Sequence, residues 1–157
     1  MISNFDIEDI CNHLKLPLIG VFSKDLLPKR CSVGSYYVNM ENHNDGDGTH
    51  WVFIRIFDCG RAIYMDSFGI YAPEDIRQFL KPVSPFAYNT RQIQNIKSEN
   101  CGRFCILCDY FFQYQLRNKS NTYIFEEFYD WLNSWSENSK INDKICLERF
   151  NKLAENT

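Results

Sequence analysis

Hydrophobic positions in this chain fall into short patterned stretches separated by proline, glycine and polar runs. Ile7, Ile10, Cys11 and Leu14 recur at helical spacing behind Ser3 or Asn4, either of which can cap a short helix. Pro17 and Gly20 end that pattern, and residues 21–28 follow no period, which reads as a packed connection. Residues 33–40, with Tyr36, Tyr37 and Val38 at their centre, lean towards a strand. The eight residues 41–48 are polar or glycine and form a surface loop. Residues 51–57 and 62–65 are two apolar strands joined through Asp58-Cys59-Gly60. A three-residue hairpin loop places its last residue in the left-handed region, which Gly60 permits. Pro73 opens a helix over 73–81, Pro82 and Pro85 break it, and residues 86–93 read as a further strand. Residues 101–116 form the most apolar helix, with so little polar face that it belongs in the centre of the molecule. Two amphipathic helices, 123–135 and 141–154, follow. There is no internal repeat and no separating linker.

Composition narrows the class. A chain of 157 residues is expected to form one domain, 1–157. Its 45% apolar and 24% charged residues exclude disorder and low complexity. Aromatics reach 16%, ample material for a core and a groove. The net charge of −3, without a basic run, makes nucleic acid a poor partner. Seven cysteines is an odd count with no paired framework. The first residues lack an export signal, and no apolar run approaches the roughly 20 residues that span a bilayer. The expectation is a soluble protein in a reducing compartment, away from membranes, with free thiols.

Three strings carry chemistry: Gly48-Thr49-His50-Trp51, Tyr64-Met65-Asp66-Ser67-Phe68-Gly69, and Gln94 followed seven residues later by Cys101-Gly102. They supply a base, a carboxylate, an amide donor and a thiol. A cysteine nucleophile needs an ionised sulfur, which an imidazole can generate and hold. Cys101 stands at the start of its helix, where free N–H groups and the helix dipole favour negative charge. The hairpin adds a geometric check. With Asp58-Cys59-Gly60 as the loop, Phe57 pairs with Arg61 and Asp66 lies opposite Val52. His50 is then one diagonal step from Asp66 on the same face, about 7–8 Å between backbones. A loop one residue shorter puts the two on opposite faces.

The order His50, Asp66, Gln94, Cys101 resembles the adenain and ubiquitin-like-protein-specific protease clan of cysteine peptidases. The local strings are similar as well: His-Trp opening a strand, an acidic residue before Ser-Phe-Gly, and Gln seven before Cys-Gly. The likeness begins near Leu18-Ile19-Gly20-Val21-Phe22-Ser23, includes Leu27-Pro28 and Tyr37-Val38-Asn39, and ends near Gln113. It is nearest to maturation proteases of adenoviruses and of virophage or polinton-type elements, and the last forty or so residues have no counterpart in it. The resemblance implies an α+β papain-like (adenain-type) fold, a mostly antiparallel sheet packed on a central helix, with extra C-terminal helices.

It also implies roles. Cys101 attacks the scissile carbonyl, His50 moves the proton, Asp66 sets the imidazole tautomer, and Gln94 with the Cys101 N–H holds the oxyanion. Trp51 walls a narrow substrate channel, so cleavage next to glycine in extended segments is the expected preference. The substrates implied are viral or mobile-element capsid precursor proteins, cut during virion maturation in the host cytoplasm, virus factory or virion. No metal and no organic cofactor is implied. Adenain carries glutamate where this chain has Asp66, and it is basic and stimulated by DNA and a disulfide-linked peptide. The acidic balance here argues against DNA, and no cysteine can be assigned to an activating peptide.

Other readings of the same residues exist. Cys101-x3-Cys105-x2-Cys108 has the spacing of an iron–sulfur ligand set, yet on a helix the three thiols form one stripe within about 60°. Cys105 and Cys108 read as small buried hydrophobes beside the nucleophile. Gln92 rivals Gln94 as the amide donor, and Trp51 also reads as a core aromatic. His43 reads as solvated and His13 as a helix-end partner of the dipole. Cys11, Cys31, Cys59 and Cys146 read as packing or surface thiols. The alternatives for function are a deconjugating protease for a ubiquitin-like modifier and a catalytically silent peptide binder.

Overall fold

A computed structural model describes residues 1–44 and 50–155. The expected surface loop therefore lies, from residue 45 on, outside the described residues. Helix α1 (Asn4–Leu14) opens on a capping box in which the Ser3 side chain accepts the Asp6 N–H and Asp6 accepts the Ser3 N–H. Five strands follow: β1 (Leu18–Ser23), β2 (Gly34–Asn39), β3 (Trp51–Ile56), β4 (Ala62–Met65) and β5 (Ala87–Tyr88). They stand in the sheet in sequence order.

The sheet is mixed. Its centre, β2-β3-β4, is antiparallel, while β1 pairs with β2 and β5 with β4 in parallel. A parallel neighbour needs a crossover, and α2 (Glu74–Leu80) provides it between β4 and β5. Pro73 takes the N-cap position of α2 rather than its first turn. The hairpin adopts the expected register: Ile56 faces Ala62 and Phe53 faces Met65. The Phe57 N–H reaches the Arg61 carbonyl at 2.8 Å, and Gly60 has φ +85°.

Every residue of β2 and β4 is buried, and all of β3 except the half-buried Arg55. Such a sheet is covered on both faces. On one side Tyr36, Val38, Val52, Ile54, Ala62 and Tyr64 meet Ile76, Phe79 and Leu80 of α2. On the other, Tyr37, Trp51, Phe53, Ile63 and Met65 meet α1, α3 (Cys101–Tyr110), α4 (Ile124–Asn133) and α5 (Ser139–Glu155). Helix α3 is buried almost throughout, as its composition predicts.

Three stretches differ from the expectation. Residues 18–23 form β1 rather than ending in an aperiodic connection, because the strand is an edge whose half-buried side chains leave no clean alternation. Residues 86–93 contain only the two-residue β5. Beyond it the Asn89 and Arg91 side chains bind backbone carbonyls of Asp66, Leu132 and Trp135, and residues 93 and 94 turn back onto Ser67. Helix α3 also stops at Tyr110 and continues as a π-turn over Phe111–Gln115 rather than as α-helix to residue 116.

Candidate active site

The β2–β3 ladder continues past β3: the Met40 N–H donates to the His50 carbonyl at 2.9 Å. By alternation His50 shares a sheet face with Val52 and Ile54, and Asp66, opposite Val52, shares it too. The diagonal gap closes as the hairpin register predicts, with His50 Nε2 and Asp66 Oδ1 2.7 Å apart. Asp66 is held from behind. Its Oδ1 also accepts the Phe68 N–H at 2.8 Å, and its backbone N–H donates to Asn89 Oδ1 at 3.1 Å. The Asn89 amide in turn donates to the Asp66 carbonyl at 2.6 Å. The chain then turns through Gly69, whose φ is +73° and whose absent Cβ would stand 2.7 Å from the Thr90 carbonyl oxygen. That turn lays Phe68 flat against the imidazole, ring centroids 4.5 Å apart and planes 21° from parallel.

The second ring nitrogen, Nδ1, is buried and has no hydrogen-bond partner among the described residues. It is the nitrogen left for a thiol. Burial by itself lowers the His50 pKa, but the Asp66 hydrogen bond and the charges of Asp66 and Cys101 outweigh it and hold the ring at about 9.

Cys101 is the first residue of α3, and no side chain caps that helix. Asn100, in the N-cap position, spends its side chain elsewhere: Oδ1 accepts from Arg103 at 3.0 Å and Nδ2 donates to Asp143 at 3.1 Å. The first-turn amides and the helix dipole are therefore left to act on charge near the sulfur. The Trp51 backbone N–H adds a direct donor, 3.4 Å from Cys101 Sγ. His50 and Asp66 belong to the sheet face covered by α2, whereas α3 covers the opposite face. The thiol approaches the imidazole at the end of the sheet, where its sulfur lies 3.4 Å from the backbone nitrogen of Trp51, the residue after His50.

Gln94 is fully buried, and the structure gives its amide definite partners. Its carbonyl oxygen accepts from the Ser67 hydroxyl, and its Nε2 donates to the Ser98 carbonyl at 3.0 Å and reaches Ser98 Oγ at 3.3 Å. Gln92, the rival, is exposed and binds the Gln94 carbonyl at 2.8 Å through its own amide. The Trp51 indole is 5% exposed and lies in the core, its Nε1–H donating to the Ile2 carbonyl at 3.2 Å. Ile2 also fills the space where a Cβ on Gly102 would stand, 2.7 Å from that position. In this structure the indole is thus a core aromatic covered by the N-terminal segment.

The remaining candidates divide plainly. Cys105 and Cys108 are fully buried on α3, and burial pushes both thiols well up. Cys105 donates weakly to the Trp51 carbonyl at 3.6 Å. Among the described residues no group of three His, Cys, Asp or Glu side chains could hold a metal ion. His43 is not merely solvated: its backbone N–H and its ring both bind the Asp25 carboxylate. Cys11 is buried and its thiol is pushed up to about 12, chiefly by burial.

Sequence reasoning missed several supports. Ser67 and Phe68 stand inside the quoted string, so adjacency could have flagged them. Asn89, Ser98 and Asp143 left no signal, because their importance comes from contacts across the fold. No helix among the described residues is long and apolar enough to cross a membrane.

No protein-family model and no curated protein matches the chain. Solved structures do. The crystal structure of the ASFV pS273R protease aligns with a TM-score of 0.56 and 14% identity, covering 83% of this chain and 65% of that one. A selenomethionine form of the same protease gives 0.38 at 19% identity, over 62% and 42% of the two chains. The central domain of the uncharacterized Lpg1148 protein from Legionella pneumophila gives 0.42 at 11% identity, over 98% of each. The first of these carries the argument, and it shows the fold: an α+β, papain-like architecture with helices against a mixed five-stranded sheet. The chain spans 65% of the length of that protease.

Proposed function

We propose that the chain is a cysteine endopeptidase with Cys101 as nucleophile, His50 as base and Asp66 as the orienting carboxylate. The observation that carries the reading is the 2.7 Å pairing of His50 Nε2 with Asp66, which leaves the buried Nδ1 for the thiol at the start of α3. With Nε2 tied to Asp66, Nδ1 already holds the proton drawn from Cys101 when the sulfur attacks the scissile carbonyl. The same Nδ1–H then protonates the leaving amine, and a water attacks the acyl-enzyme by the reverse sequence. Asp66 stays ionised and fixes the ring, as in other triads. The oxyanion falls to the Cys101 backbone N–H and to the Gln94 amide.

The protease of similar fold supports this reading at the level of reaction class. The finer assignments rest on the resemblance: cleavage next to glycine in extended segments, capsid precursors as substrates, and action in the host cytoplasm or virion. A role for Trp51 in the substrate channel requires Ile2 to move aside when substrate binds.

The test is a thiol-directed peptide electrophile at neutral pH, with the adduct mapped by mass spectrometry. Labelling concentrated on Cys101 and abolished in His50→Ala supports the proposal. Slow labelling spread over several cysteines, unchanged in His50→Ala, overturns it. Comparing a glycine-containing unfolded peptide with a folded modifier fusion separates endopeptidase from deconjugase, since the proposal expects the unfolded peptide to be cut.

A further inference from the structure

The C-terminal helices had no counterpart in the sequence resemblance, yet α5 reaches directly into the segment between Gln94 and Cys101. Asp143 Oδ2 accepts the Asn95 N–H at 2.7 Å. Asp143 Oδ1 accepts the Ser98 hydroxyl and the Asn100 amide, the latter at 3.1 Å. Its neighbour Asn142, fully buried, donates to the Ile93 carbonyl at 3.0 Å. One carboxylate thus binds three of the six residues between the amide donor and the nucleophile.

The direction of the Ser98 hydroxyl matters most. Its one proton goes to Asp143, so its lone pairs face the Asn100 N–H at 3.0 Å and Gln94 Nε2 at 3.3 Å. Without the carboxylate the hydroxyl can rotate and donate, and Gln94 loses a defined acceptor. Ser67 holds the other end of the same amide, through its oxygen. The Gln94 side chain is therefore gripped at both ends, once from the turn that carries Asp66 and once from α5.

We propose that Asp143 is a positioning residue for the oxyanion side of the site, acting through Ser98 on the Gln94 amide. The kinetic part of this inference rests on the cysteine-protease reading; the mechanical part, a carboxylate clamp on residues 95–100, does not. Asp143 touches neither thiol nor imidazole in the described contacts, so it should affect acyl transfer and leave the nucleophile itself alone. Removing a complete oxyanion donor costs about 100- to 1000-fold. Misaligning one should cost less, roughly 10- to 100-fold in kcat with KM changed by no more than about threefold.

The experiment compares the parent protein, Asp143→Ala, Asp143→Asn, Gln94→Ala and the Asp143→Ala/Gln94→Ala double variant. Three readouts are followed: peptide hydrolysis, alkylation of Cys101 by iodoacetamide, and hydrogen exchange over residues 93–101. Alkylation needs the activated sulfur but no oxyanion site. The expected result is a kcat loss in Asp143→Ala with an unchanged alkylation rate, faster exchange at Asn95, and no further loss in the double variant beyond Gln94→Ala. Asp143→Asn, which keeps one acceptor oxygen, should fall between. Equal losses of hydrolysis and alkylation, a full additional loss in the double variant, or no change at all would each overturn the proposal. A parent protein that cuts no peptide and alkylates Cys101 no faster than Cys59 overturns the protease reading and the kinetic role together. Exchange at Asn95 then still reports the clamp separately.

Discussion

The imidazole of His50 sits under opposing influences: burial favours the neutral ring, and Asp66 and Cys101 favour the charged one. The second wins, raising the folded-state pKa from 6.5 to about 9. Stabilisation from the protonated ring is therefore complete below pH 6.5 and is lost as pH rises through about 9. Denaturation midpoints should fall over that window in the parent protein and much less in His50→Gln. In the proposed mechanism the same proton is the one delivered to the leaving amine, so kcat/KM should decline above about pH 9. In Asp66→Asn the charge is gone while the burial remains, and the alkaline limb should move to lower pH. An unshifted limb would remove Asp66 from its orienting role. Phe68 offers a milder test at this scale. Its stack on His50 is worth about 0.5–1.5 kcal/mol, so Phe68→Ala should slow hydrolysis by roughly 2- to 12-fold without abolishing Cys101 labelling.

Among the elements, the β3–β4 hairpin does most to build the site, although its loop is at the opposite end of the strands. Loop length sets register, and register decides whether Asp66 faces His50. Deleting Cys59 should therefore abolish activity while leaving strand content by circular dichroism nearly intact. Gly60→Ala keeps the length and adds only backbone strain, since nothing lies within 4 Å of the new methyl. It should cost about 1 kcal/mol in stability with activity retained, which a denaturant titration and an assay can read side by side. This hairpin was legible in full because Gly60 identified the turn and the turn dictated the pairing. β1 was not legible: Pro17 and Gly20 look like punctuation, and an edge strand with half-buried side chains shows no alternation. The strand expected over 86–93 failed for the opposite reason. Its apolar residues are real, but the Asn89 and Arg91 side chains commit the chain to loop contacts that local pattern cannot display.

At the scale of the whole molecule, four helices press one sheet face and a short one the other. Phe104 of α3 is fully buried and meets Trp135, just beyond α4, edge-on at 5.1 Å. Trp135→Ala should cost about 3–5 kcal/mol, lowering the thermal midpoint by several degrees, and it would loosen Arg91, which donates to the Trp135 carbonyl. A null shift would mean the C-terminal helices are not part of the cooperative core. Sequence reading placed those helices correctly but could assign them no task, because Asn142 and Asp143 become meaningful only once α5 lies against residues 93–100. The proposed base, carboxylate, amide and thiol stood out in the sequence for a different reason. Their residue types are distinctive, and their order along the chain survives folding.

The approach of thiol to imidazole at the end of the sheet has a mechanical corollary. Each partner is anchored to a different layer, so the gap between them is set by the thickness of aromatic filling between β3 and α3. Phe53, Trp51 and Phe104 act as shims in a caliper. Trimming Phe53 or Phe104 would alter reactivity at the sulfur from a distance, which makes turnover a gauge of how tightly the two layers are closed.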